Sequence, residues 1–132
     1  MGISHEIIDG IAEIVVDYPP VNAIPVKGWF ELAELIRGLG DSPETRVVIL
    51  RAEGRGFNAG VDIKEMQDTE GFDALLGANR GCWESFKAVY ECKVPVIITS
   101  YGNPTELAKR AHEEGAIVFH DVIGLKHAQK AQ

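Results

Sequence analysis

The chain has 132 residues, 45% of them hydrophobic and 25% charged, which is the size and composition of one globular domain with a core of its own. A net charge of −7 and a pI near 5.0 run opposite to the clustered Lys and Arg of a nucleic-acid footprint, and no apolar run reaches the length of a membrane span. The opening Met1–Glu6 lacks the basic start and apolar stretch of a secretory leader, so a cytoplasmic protein is expected.

Ile7-Ile8, Asp9-Gly10 and Ile11–Val16 read as two strands joined by a tight turn, because Asp-Gly between apolar runs favours a two-residue hairpin loop. Tyr18-Pro19-Pro20 ends the second strand, since proline has no N–H for a ladder. Trp29, Leu32, Ala33, Ile36 and Gly40 form one stripe of a helix starting near Pro25. Asp41–Glu44 reads as a turn with Ser42 as a cap and Pro43 at a first helical position. Val47–Leu50 is a continuous apolar run, the pattern of a strand covered on both faces. A glycine-rich loop, Glu53–Gly60, follows.

Phe72, Leu75, Leu76, Trp83, Phe86 and Tyr90 repeat at helical spacing and predict the longest helix, with Trp83, Phe86 and Tyr90 in the core and Arg80 as a surface or interface cation. Cys82 and Cys92 fall in this helix about 15 Å apart, too far for a disulfide, and read as reduced structural thiols. Val94–Ile98 reads as another buried strand. Asn103-Pro104-Thr105-Glu106 carries the capping signals of a helix whose apolar face is Leu107, Ala108 and Ala111 and which Gly115 closes. Ile117–Phe119 is a strand, and Leu125–Gln132 starts a final helix. The order ββαβαβαβα predicts an α/β fold in which a layered or spiral sheet is covered by helices.

The stretch Arg55–Met66 is the informative one. A glycine-rich loop between a strand and a helix turns backbone N–H groups outward, Gly60 permits the turn, and donors at a helix entrance suit negative charge. Such a loop can make half of an oxyanion hole. Glycine loops between strand and helix are also ordinary connections, so the loop alone leaves both readings open. Asp62 reads as a cap for the following helix, and Lys64 and Glu65 as its solvated start.

Phe57-Asn58-Ala59-Gly60-Val61-Asp62-Ile63-Lys64-Glu65-Met66 resembles the signature of the crotonase (enoyl-CoA hydratase/isomerase) superfamily. Pro20–Ile24, Val47–Arg51 and Val94–Ile97 resemble neighbouring family segments in the same order, so the resemblance covers about residues 1–98 and is to the actinobacterial type, some members of which act on steroid-ring fragments carried on CoA. The resemblance implies a truncated crotonase-like ββα spiral core, an acyl-CoA thioester as the ligand, CoA as part of the substrate rather than a resident cofactor, no metal, and a homo-oligomer. It implies that the Val61 backbone N–H is the first oxyanion-hole donor, that Ala59 and Ile63 line the adenine pocket, that Lys64 lies beside the nucleotide, and that Pro20 and Val21 sit against the CoA moiety.

Beyond Ile98 the family continues into an Ala-Val-Asn-Gly segment, a Gly-Gly-Gly turn that gives the second oxyanion N–H, and a helix leading to the acid/base carboxylates; here Thr99–Pro104 follows instead. Residues 94–132 resemble consecutive βα units of a nitronate-monooxygenase-like flavin enzyme, a (β/α)8 barrel, without its FMN phosphate loop, so FMN is not expected. An in-frame join at Val94–Ile97 accounts for both resemblances, with residues 99–132 packed into the same domain as residues 1–98. His120 reads as a partly buried, hydrogen-bonded imidazole, and neither it nor His127 matches a catalytic position. Three functions follow: an impaired acyl-CoA enzyme, a non-catalytic CoA-binding or vestigial fusion protein, and a flavin-linked oxidoreductase fragment.

Overall fold

The computed structural model describes residues 1–68, 72–100 and 103–121, together with 124, 126, 128 and 129. The chain forms two compact units, Met1–Cys92 and Lys93–Gln132. The fold is α/β, as the element order predicts.

In the first unit, β1 (Gly2–Ile8) and β2 (Ile11–Asp17) pair antiparallel around Asp9-Gly10. Both turn residues have positive φ, 52° and 82°, which is what a type I′ hairpin needs and why Asp-Gly sits there. Helix α1 (Val26–Gly40) then crosses to β3 (Val47–Ala52), which lies parallel to β2, giving the order β1-β2-β3. Alternation along β2 buries Ala12, Ile14 and Val16. Ala12 and Ile14 meet Leu32 and Leu39 of α1, with Ile3, Trp29, Leu35, Ile36 and Leu50 around them. Ser42 Oγ accepts from the Glu44 N–H at 3.3 Å, so Asp41–Glu44 is a turn, and it leads into β3 without forming a helix.

β3 is a strand but is not covered on both faces: Val47, Val48 and Ile49 are exposed. It is the edge of its sheet, and α1 covers one face only. The other face carries an ion network of Arg51 with Glu13 and Glu53 beside Ile49.

After the short helix α2 (Ile63–Asp68), α3 (Phe72–Glu91) packs parallel to α1. The sequence predicts the helix but not its buried face. Ala78, Gly81, Ser85 and Ala88 face inward, whereas Leu75, Leu76, Trp83 and Phe86 are exposed, Trp83 by 47% and Phe86 by 56%. The inner stripe is made of small residues because the axes lie close: a Cβ on Gly81 would stand 2.8 Å from Trp29 Cβ, and one on Gly40 would stand 2.3 Å from Cys92 Sγ. Ser85 Oγ donates to the Trp29 carbonyl at 2.8 Å, and Arg37 bonds Glu84 and Glu91 at 2.7 Å each. Cys82 and Cys92 are free, and burial pushes both thiols above their ordinary pKa, with Asp41 and Glu91 adding to the effect at Cys92.

In the second unit, β4 (Val96–Ser100) and β5 (Ile117–Asp121) pair parallel through α4 (Thr105–Glu113). Asn103 Oδ1 accepts from the Thr105 N–H and Oγ1, so it caps α4 as expected, although the helix begins one residue after Pro104. Gly115, at φ 81°, closes the helix in a Schellman arrangement: Gly115 N–H donates to the His112 carbonyl and Ala116 N–H to that of Ala111. β4 is not a buried strand. Val96 and Ile98 share an exposed face with Ile117 and Phe119, while Ile97 and Val118 are half-buried on the other. His120 is half-buried, with Nδ1 2.8 Å from Thr99 Oγ1, as expected. Lys126, Ala128 and Gln129 are helical; His127 and most of the expected closing helix lie outside the described residues.

Candidate functional site

The glycine-rich loop descends from β3 and is held against the segment leaving β2. Asn22 organises this contact. It is 3% exposed and adopts φ 57°, a left-handed conformation that Asn tolerates. Its Oδ1 accepts from the Tyr18 N–H at 2.8 Å, and its Nδ2 donates to the carbonyls of Glu53 and Gly56 at 2.7 and 2.8 Å. The Asn22 carbonyl accepts from the Ala59 N–H at 3.3 Å and from Asn58 Nδ2 at 3.0 Å. Burial, reinforced by the Glu31 carboxylate, pushes the neighbouring Tyr18 phenol above its ordinary pKa.

Two residues further on, Ile24 and Val61 form an isolated parallel bridge. Ile24 N–H donates to the Gly60 carbonyl at 2.9 Å and Asp62 N–H to the Ile24 carbonyl at 3.1 Å. Gly60 makes the preceding turn at φ 95°, supported by its N–H bond to Asn58 Oδ1 at 2.7 Å. Alternation along the chain turns the Val61 N–H to the side opposite Ile24. Among the described residues that N–H donates to no acceptor, and Val61 is half-buried.

The helix entrance itself is not available to a ligand, contrary to the expectation for this loop. Asp62 Oδ1 accepts from the Lys64 N–H at 2.9 Å and the Glu65 N–H at 3.3 Å, so a carboxylate of the chain already fills it. The capping role expected of Asp62 is correct. Glu65 is not part of a solvated helix start: its Oε2 accepts from the Val26 N–H at 2.7 Å. Helix α1 has no capping side chain at Pro25 and no acid in its first turn, and Glu65 supplies both from 39 residues away.

The sequence profile of the enoyl-CoA hydratase/isomerase family matches residues 6–103. The chain belongs to this family. It is 65% identical over 94 residues to the (7aS)-7a-methyl-1,5-dioxo-2,3,5,6,7,7a-hexahydro-1H-indene-carboxyl-CoA hydrolase of Rhodococcus jostii, covering 71% of this chain and 36% of that protein. The protein of the same name from Mycobacterium tuberculosis is 67% identical over 93 residues, or 70% and 38% of the two lengths. The carnitinyl-CoA dehydratase of Escherichia coli K12 is 34% identical over 106 residues, or 76% and 40%. The chain thus spans well under half the length of these relatives. Among solved structures, human enoyl Coenzyme A hydratase domain-containing protein 3 superposes with a TM-score of 0.64 at 25% identity, covering 76% of this chain and 42% of that one. A putative enoyl-CoA hydratase from Streptomyces coelicolor shares the fold over 92% of this chain and 46% of its own, with a TM-score of 0.61 at 24% identity.

The stretch that resembles the family signature, Phe57–Met66, lies on the bridged loop and α2. Pro20 and Val21 are exposed beside Asn22, and Ala59, Ile63 and Lys64 are exposed along the loop and α2, so the structure brings the two expected segments together at the Asn22 and Ile24 contacts. Asn22 and Glu65 are the two residues whose tasks the sequence reading missed. For Asn22 a signal existed: a polar residue between two strand-ending prolines and an apolar pair suits a left-handed turn. For Glu65 there was none, because its partner is fixed by tertiary packing.

Proposed function

We propose that this chain forms the thioester-binding side of an acyl-CoA site and that, by itself, it binds CoA with little turnover. The observation that carries the reading is the Val61 N–H, held by the Ile24 bridge and turned away from it with no acceptor among the described residues. A fixed backbone donor of this kind polarises a thioester carbonyl and stabilises the anion that develops on its oxygen. Pro20 and Val21 contact the CoA moiety, Ala59 and Ile63 line its adenine, and Lys64 lies beside the nucleotide. The relatives at 65% and 67% identity are named for a CoA thioester of a bicyclic indene acid, which supports a fused-ring acyl group of the kind left by steroid breakdown.

Low turnover follows from the donor set. One oxyanion donor fewer costs about 10²–10³-fold in rate, and a missing acid/base pair about another 10²–10⁴-fold. The oligomeric cytoplasmic state expected from the sequence belongs to the same proposal; exposed Leu75, Leu76, Trp83 and Phe86 are the apolar surface that supports it. The test is a calorimetric titration with CoA beside steady-state hydration of crotonyl-CoA. Measurable binding with turnover near background is expected. No binding refutes the site, and turnover in the ordinary enzymatic range refutes the impairment.

A further inference from the structure

We infer that Asn22 and Glu65 are positioning residues that aim the Val61 N–H at the carbonyl oxygen of a bound thioester. The inference rests on the thioester reading of the site and adds how the donor is held.

The argument starts from one peptide plane. The Gly60 carbonyl and the Val61 N–H are opposite ends of a single planar trans amide, so fixing one end fixes the direction of the other. The Gly60 carbonyl is fixed by the Ile24 N–H at 2.9 Å. The aim of the Val61 N–H is therefore only as good as the placement of Ile24 against Gly60.

Ile24 is pinned from both sides. Two residues before it, the buried Asn22 carboxamide reaches the Glu53 and Gly56 carbonyls, and the Asn22 carbonyl takes Ala59 N–H and Asn58 Nδ2. Two residues after it, the Val26 N–H is held by Glu65 Oε2, four residues beyond Val61. Residues 22, 24 and 26 thus meet the loop at three successive points, with the bridge in the middle. Among the described residues neither side chain is hydrogen-bonded to Val61, so both act through Ile24 and the loop backbone.

The test uses the full chain with Asn22→Asp, Glu65→Ala and Glu65→Gln. Asn22→Asp tolerates the left-handed turn and keeps the acceptor for Tyr18 N–H, but it turns an oxygen toward the two loop carbonyls. Glu65→Gln keeps an oxygen for Val26 N–H, and Glu65→Ala does not. The first readout is amide hydrogen exchange at Ile24 and Asp62, the two donors of the bridge, against Ile14 and Val16 in the sheet. The second is calorimetric titration with acetyl-CoA, which carries the thioester carbonyl that coenzyme A itself lacks.

Asn22→Asp and Glu65→Ala are expected to speed exchange at Ile24 and Asp62 by about tenfold or more, to leave Ile14 and Val16 unchanged, and to weaken acetyl-CoA binding by a similar factor. Glu65→Gln is expected to stay near the unaltered chain in both readouts. Unchanged exchange at the bridge overturns the inference. Equal acceleration at all four amides overturns it too, because it shows a role in overall stability alone. Failure of the unaltered chain to bind acetyl-CoA defeats the thioester reading, a separate result from loss of bridge protection.

Discussion

Gly81→Ala is the sharpest test of how α1 and α3 meet. In an exposed helix interior, alanine is better than glycine by about 1 kcal/mol. At Gly81 the added carbon would stand 2.8 Å from Trp29 Cβ and 3.3 Å from the Phe30 ring. Trp29 Cβ is tied to its backbone and cannot swing aside, so the helices must part by about 0.7 Å to restore an ordinary carbon contact. Overpacking of this kind costs about 1–3 kcal/mol. The same separation strains the 2.8 Å bond from Ser85 Oγ to the Trp29 carbonyl, worth about 1 kcal/mol. The losses exceed the propensity gain, and the net effect is about 1–3 kcal/mol of destabilisation. For a unit of this size that lowers the thermal midpoint by about 5–15 °C. Gly38→Ala is the control, because a Cβ there meets nothing within 4 Å. It should raise the midpoint by a few degrees, for about 0.5 kcal/mol. Circular dichroism melts of both variants decide the matter. A midpoint raised as much by Gly81→Ala as by Gly38→Ala would refute the close approach of the two helices.

Ile14→Ala should cost about 2–5 kcal/mol, since Ile14 is fully buried between the sheet and α1, and urea unfolding with an unchanged slope should show it as a lower midpoint. The hydrogen bond from Arg37 holds the Glu91 carboxyl below its ordinary pKa, with Lys87 helping. A carboxyl lowered in the folded state contributes stability that is full above its unfolded value of 4.5 and is lost as pH falls through its folded value. Arg37→Met lacks this contribution, so the gap in urea midpoint between it and the unaltered chain should be widest at neutral pH and narrow as pH falls below 4.5. A gap that is constant with pH would show that the Arg37 bond to Glu91 does not form.

The sequence by itself determined the parts whose causes are local. Asp9-Gly10 dictates a positive-φ turn, so the hairpin follows from two residues. Asn103, Pro104 and Gly115 mark both ends of α4 because caps are satisfied within one turn of chain. Gly60 and Asp62 place the donor loop and its short helix for the same reason. Tertiary structure decided which faces are used. On α3 two stripes recur at helical spacing, a large one through Leu75, Leu76, Trp83 and Phe86 and a small one through Ala78, Gly81, Ser85 and Ala88. Periodicity weighs hydrophobicity and favours the first; close packing on α1 requires the second, since only small side chains let Trp29 and Phe30 approach. The apolar runs of β3 and β4 likewise give strands but not their cover, which depends on what packs against each face. The direction of the Val61 N–H was likewise decided by contacts distant in sequence. It depends on Asn22 bonding carbonyls 31 and 34 residues away and on Glu65 reaching 39 residues back to Val26, contacts that exist only once the strands have brought those segments together.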